Sequence, residues 1–128
     1  MQIAQTIDAL MSTFSITRAE ERLASIRSLV ASDFVFVNPG FVADGPEELS
    51  AAFGEFMAFL DNGVRIARTS EVEIHHDHFR YSWARYRGGV IEMEGCDFGW
   101  VGNAGELKRL VVFDHLGPRR LPIAGPGE

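Results

Sequence analysis

The chain contains a single cysteine, Cys96. One thiol cannot close an intrachain disulfide, and it supplies no Cys-rich metal motif. Cations are also scarce: 12 Lys and Arg face 18 Asp and Glu, for a formal net charge of -6. Phosphate recognition needs clustered Lys and Arg, so this balance argues against nucleic acid as a partner. The basic pair Arg119-Arg120 is too short to reverse it. No apolar run approaches the roughly 18 residues of a membrane span. The opening MQIAQTIDALMSTF has neither a basic n-region nor a long apolar h-region, so it does not read as a secretory signal. No internal repeat and no linker is visible. These absences imply a cytoplasmic protein with no membrane partner.

What is present is ordinary globular material: 128 residues, 46% hydrophobic and 23% charged. A chain of this size forms one domain and buries about two-thirds of its unfolded surface. The domain is expected over residues 1–116, followed by a flexible Gly- and Pro-rich tail over 117–128. Ile3, Ile7, Leu10 and Phe14 recur at helical spacing and predict a first helix over about 2–14. Thr17-Arg18-Ala19-Glu20 reads as a capping box opening a second helix, which should stop near Ala31-Ser32. A short strand, FVFVN (34–38), ends at Pro39-Gly40. Asp44-Gly45-Pro46 then starts a third helix with Leu49, Phe53, Phe56 and Leu60 on its buried stripe, ended by Asp61-Asn62-Gly63.

From Val64 the apolar period changes to that of strands. Four are expected, as an antiparallel meander, and the central pair carries most of the aromatics: HFRYSWARYRGGVIEMEGCDFGW (78–100). Gly88-Gly89 suits a two-residue hairpin turn, because both positions tolerate positive φ. Alternation puts Phe79, Tyr81 and Trp83 on one face. It puts Asp97 on the same face as Gly95 and Gly99, opposite Cys96, Phe98 and Trp100. Helices first and strands afterwards imply an α+β domain, with helices covering one face of a sheet that curves to enclose them. A sheet closed in this way leaves a cavity at its open end.

Several stretches, in this order and spacing, resemble a known family: LVASDFVFVNPG (29–40), the helix start at Gly45, HHDHFRYSWARY (75–86), EGCDF (94–98) and GNAGELKRLVVFD (102–114). The resemblance is to the SnoaL-like branch of the nuclear transport factor 2-like superfamily, which includes polyketide cyclases and ketosteroid isomerases. It implies a cystatin-like cone, in which a curved antiparallel or mixed sheet wraps around three N-terminal helices and holds a deep apolar pocket. It also implies a homodimer through the outer sheet face, and the apolar residues on both faces of 79–86 and 90–100 point the same way. Ketosteroid isomerases place their base aspartate just before the proline of the early strand, where this chain has Asn38. Their oxyanion-hole tyrosine corresponds to Phe14. Their second donor, a protonated aspartate on a late strand, corresponds to Asp97.

An amide cannot abstract a proton, so steroid isomerisation by that mechanism is not expected. Asp97 is the candidate acid or base, and in an apolar site its pKa should rise. Asn38 is the second catalytic candidate, as a group that polarises a carbonyl or holds water; it equally suits a turn former before Pro39. Phe14, Phe53, Met57, Tyr81 and Trp83 are the candidate ligand-binding walls, or plain core. Arg80, Arg85 and Arg87 alternate with the aromatics. They suit a solvent face paired with Glu71, Glu73, Glu92 or Glu94, or a grip on an acidic substrate. His75, His76 and His78 crowd one turn and do not converge on a metal. The expected function is a pocket for a small hydrophobic molecule. One form is a cofactor-independent cyclase, isomerase or dehydratase acting on a carbonyl compound; another is a binding or interaction domain without chemistry.

Overall fold

The computed structural model describes residues 2–59, 63–115 and 122. The described residues form three α-helices, α1 (Ile3–Ser12), α2 (Ala19–Arg27) and α3 (Gly45–Phe59), with a 3-10 turn, Thr13–Ser15, after α1 and two strands between α2 and α3. The strands are β1 (Val30–Val37), β2 (Val42–Asp44), β3 (Val64–Arg68), β4 (Glu73–His75), β5 (His78–Arg87), β6 (Val90–Val101) and β7 (Leu107–Phe113). They form a single sheet in the order β2-β1-β7-β6-β5-β3, with β4 also pairing to β5. The architecture is the expected α+β cone, helices inside a curved sheet.

The sheet is not the four-stranded meander that periodicity suggests. Among the described residues it has seven strands, and β1 lies parallel to β7, with Phe36 beside Leu110 and Val37 beside Val111. That pairing joins the two ends of the domain. It also explains why α2 stops at Arg27 instead of near Ala31-Ser32: Val30 is already in register with Leu107. The expected capping box is not formed either. The residue before α2 is Arg18, extended at φ -80 and ψ 123, with no side-chain cap.

The hairpin turn forms at Gly88 (φ 57) and Gly89 (φ 81), joining Arg87 to Val90. Register shifts fall between Val30 and Val35 of β1, between Arg85 and Tyr86 of β5, and between Trp100 and Val101 of β6. Irregularities of this kind bend a sheet and let it wrap. β3 and β4 share one edge of β5. In the gap between them, Thr69 N–H donates to the Ser82 carbonyl (2.9 Å) and Ser82 N–H donates to Ser70 Oγ (2.8 Å).

The core lies between the helices and the concave face. Ile7 and Leu10 of α1, Ile26 of α2, and Leu49 and Phe53 of α3 pack on Phe34 and Phe36 of β1 and on Leu107 and Leu110 of β7. The helix end expected at Asp61-Asn62-Gly63 falls largely outside the described residues, as does the tail expected over 117–128, apart from Pro122.

Candidate active-site cavity

Phe79, Tyr81 and Trp83 project from β5 onto the concave face, and each is buried. Directly opposite them on β6 stand Gly99, Asp97 and Gly95. A Cβ at Gly95 would run into the Trp83 ring and the Phe113 carbonyl; one at Gly99 would meet the Phe79 ring and the Arg109 carbonyl. Glycine at these two positions lets the flanking rings lie against the β6 backbone. Asp97 sits between the two glycines, and its side chain is the one that rises from this part of the strand.

Asp97 is 4% exposed. Tyr81 Oη donates to Asp97 Oδ2 at 2.6 Å. The Trp83 indole also lies near enough to favour the ionised form, but not in hydrogen-bond geometry: Trp83 Nε1 and Asp97 Oδ1 are both buried without a partner. Burial opposes these two donors and outweighs them, raising the Asp97 pKa from 3.8 to about 7. Tyr81 is pushed well above the usual tyrosine value by burial first and then by the charge of Asp97.

The cavity has a volume of about 360 Å³. Asp97, Tyr81 and Trp83 belong to its sheet wall. Helical walls come from Ile7, Leu10 and Met11 of α1 and from Phe53 and Phe56 of α3. Phe14 lines it too, stacked on Phe53 with ring centroids 4.2 Å apart. The β1–β2 connection adds Asn38, Pro39, Gly40 and Phe41, and the strands add Phe36, Ile66, Arg85, Met93, Leu110 and Val112, with Asp114 just beyond β7. The lining is therefore mostly apolar, with a few convergent polar groups, which is the usual make-up of a small-molecule site.

Met57 departs from the expectation. It faces a separate groove between α1 and β3, with Asp8, Arg65 and Arg68, and is no part of this cavity. Helical spacing gave the stripe, but Phe56 is the α3 residue after Phe53 that reaches the cavity. Asn38 lines the cavity, yet its Oδ1 accepts from Gly40 N–H (2.8 Å) and Phe41 N–H (2.9 Å). That is an Asx-type turn. The carboxamide Nδ2 is the part left to offer a ligand, so Asn38 can act as a donor and not as a base.

Sequence reasoning missed Phe36, Phe41, Ile66 and Met93 as cavity residues, and left Arg85 between a solvent face and a grip on an acidic substrate. Strand alternation could have found Arg85, which shares the face of Tyr81 and Trp83. Its acidic neighbours instead suggested a solvent face, and Arg85 does pair with Glu92. His75, His76 and His78 are exposed; His78 Nδ1 lies 2.8 Å from Asp77 Oδ1. Among the described residues no three His, Cys, Asp or Glu side chains group as metal ligands. Cys96 is on the other face of β6 from Asp97, and partial burial raises its pKa.

No family model matches the chain, and no curated protein matches it by sequence. Solved structures do. A proposed isomerase of the SnoaL-like family from Agrobacterium tumefaciens superimposes with a TM-score of 0.76 at 20% identity, over 87% of this chain and 92% of that one. A nuclear transport factor 2-like protein of unknown function from an Exiguobacterium species gives 0.67 at 17% identity, over 88% and 99%. This chain has the nuclear transport factor 2-like fold. A protein of unknown function with a cystatin-like fold from Methylobium petroleophilum gives 0.68 at 12% identity, over 96% and 81%. At these identities the likeness is one of fold. The resemblance to SnoaL-like proteins read from the sequence holds at that level. What a nuclear transport factor 2-like cone does is decided by its cavity residues, because the fold hosts unrelated functions. Among the described residues, no helix is long and apolar enough to cross a membrane.

Proposed function

We propose that this protein binds a small hydrophobic carbonyl compound in the cone and moves a proton on it through Asp97. It would act as a cofactor-independent isomerase, cyclase or dehydratase. The observation that supports this reading is the buried Asp97 carboxyl, held by Tyr81 in an apolar cavity with a pKa of about 7. A carboxyl poised near neutrality exists in both forms, so it can donate a proton and take one back. Protonated, it donates to a carbonyl oxygen and makes the neighbouring C–H more acidic. Ionised, it accepts a proton from carbon and returns it to another atom of the same molecule. Tyr81 stabilises the ionised form at Oδ2, and the aromatic walls keep bulk water from the reacting atoms. Asn38 Nδ2 is the group that would orient the ligand from the β1 side. The isomerase role proposed for the Agrobacterium protein points in the same direction.

The test is hydrogen exchange. Wild-type protein and Asp97→Asn are incubated in deuterium oxide with a panel of apolar ketones, and loss of α-protons is followed by NMR. Catalysed exchange that disappears in Asp97→Asn supports the reading. Equal exchange with both proteins overturns it.

A binding module without chemistry is the second reading. It is favoured by one observation: Asn38 stands where a base would be needed, and its oxygen is occupied by its own turn. Ketone binding without catalysed exchange would select it.

We further propose a homodimer through the convex sheet face. Phe98 and Phe113 lie there 40% and 52% exposed, too apolar a surface to stand alone in water.

A further inference from the structure

We infer that the molecule this cavity takes is an oxo acid, an apolar compound with its carbonyl at Asp97 and a carboxylate gripped by Arg85. The inference rests on the pocket reading above and adds the chemical class of the ligand. Arg85 is the cation of the cavity lining. Its Nε–H donates to Glu92 Oε2 at 2.6 Å, and Glu92 Oε1 accepts from Arg87 Nε at 2.8 Å. Among the described residues, Nη1 and Nη2 of Arg85 make no hydrogen bond. The guanidinium is thus anchored through one nitrogen and free at the two that make a fork for a carboxylate. Because Glu92 is shared between two guanidiniums, it neutralises Arg85 only in part.

Besides Asp97, the acid of the lining is Asp114. Its side chain is 47% exposed and sits 3.5 Å from His115 Nε2, whereas the Arg85 side chain is 20% exposed. Water and salt therefore screen Asp114 more than Arg85, and while Asp97 is protonated the arginine is the least screened charge of the lining. The register gives the length of the ligand. Arg85 stands opposite Met93, and Tyr81 opposite Asp97, four residues further along β6. At about 3.3 Å per residue the two backbone positions lie roughly 13 Å apart along the strand. Trp83, opposite Gly95, lines the apolar stretch between them. A molecule that fits has an oxygen at each end and hydrocarbon in the middle.

Calorimetric titration tests this with two probes: decanoate bearing a keto group next to its terminal methyl, and the methyl ester of the same compound. The acid should bind wild-type protein about tenfold more tightly than the ester. Arg85→Gln should remove that preference, with the acid losing about tenfold more affinity than the ester. Arg85→Lys, which keeps the charge but not the fork, should retain part of the preference and serves if the glutamine variant does not fold. Equal affinity of wild type for acid and ester would overturn the oxo-acid inference while leaving the pocket reading intact, as would a preference that survives Arg85→Gln. Failure of both probes to bind wild type would overturn the inference and the pocket reading together.

Discussion

Tyr81 and Asp97 stand directly opposite one another on β5 and β6, and the tyrosine hydroxyl donates to Asp97 Oδ2 at 2.6 Å. The bond favours the carboxylate, burial favours the neutral acid, and burial prevails, with a pKa of about 7. Below that pH the pair is neutral and costs little to bury. Above it the cavity wall carries a charge with one donor for its two oxygens.

Stability should therefore fall with pH over a defined window. A carboxyl whose folded pKa lies above its unfolded value holds more protons in the native state, so its contribution is complete below about pH 4 and is lost by about pH 7. A shift from 3.8 to about 7 corresponds to roughly 4 kcal/mol at most. Asp97→Asn lacks this loss. Urea unfolding at pH 5 and pH 8 should show the variant gaining on wild type by a few kcal/mol as pH rises. A constant difference between the two proteins would refute the buried-acid assignment.

Tyr81→Phe removes the donor to Oδ2, the larger of the two influences that lower the Asp97 pKa. The carboxyl should then titrate above 7, and any pH–rate profile governed by Asp97 should move in the alkaline direction. Carbon-detected NMR titration of the side chain reads this directly. An unchanged or lower midpoint would mean that the phenol does not control the acid.

Gly95→Ala should be among the costly glycine substitutions. The added methyl meets the Trp83 ring and the backbone carbonyl of Phe113, and the carbonyl cannot rotate away. Overpacking of this kind costs about 1–3 kcal/mol. Near-UV circular dichroism should change along with stability, because Trp83 must move. Gly40→Ala is the control: its new methyl finds only Asn38 Oδ1 at 3.5 Å, an ordinary contact. Equal stability of the two variants would remove the role assigned to Gly95.

Phe98→Arg and Phe113→Arg address the convex face. Wild-type protein should scatter light as about twice 14.2 kDa. Each variant should scatter as a monomer while keeping its far-UV spectrum, since a buried unpaired cation at an apolar interface is disfavoured by several kcal/mol. A wild-type monomer at tens of micromolar protein would end the dimer proposal.

The residues themselves carried much of this. Period-2 alternation was enough to group Phe79 with Tyr81 and Trp83, and Asp97 with Gly95 and Gly99, because side-chain direction in a strand is a local property. Gly88-Gly89 marked its turn for the same reason, and Leu49 and Phe53 marked the inner face of α3. That the two strand groups share a face was decided by the register shift between Arg85 and Tyr86, without which the hairpin would set Asp97 opposite Arg80. Tertiary structure decided what depends on partners distant in sequence. The parallel pairing of β1 with β7 ended α2 early, and a three-residue strand such as β2 or β4 has no pattern of its own until a neighbour supplies hydrogen bonds. The site was divided in the same way. Asn38 could be a donor, a base substitute or a turn former until its oxygen was seen bound to Gly40 and Phe41. Met57 and Phe56 are adjacent on one helix, and only the rotation of α3 against the sheet turned one outward and the other into the cavity. Arg85 read as a surface cation because its acidic partner is visible in the sequence. That Arg85 also lines an apolar cavity follows from its place on the face of Tyr81 and Trp83, over which the helices close.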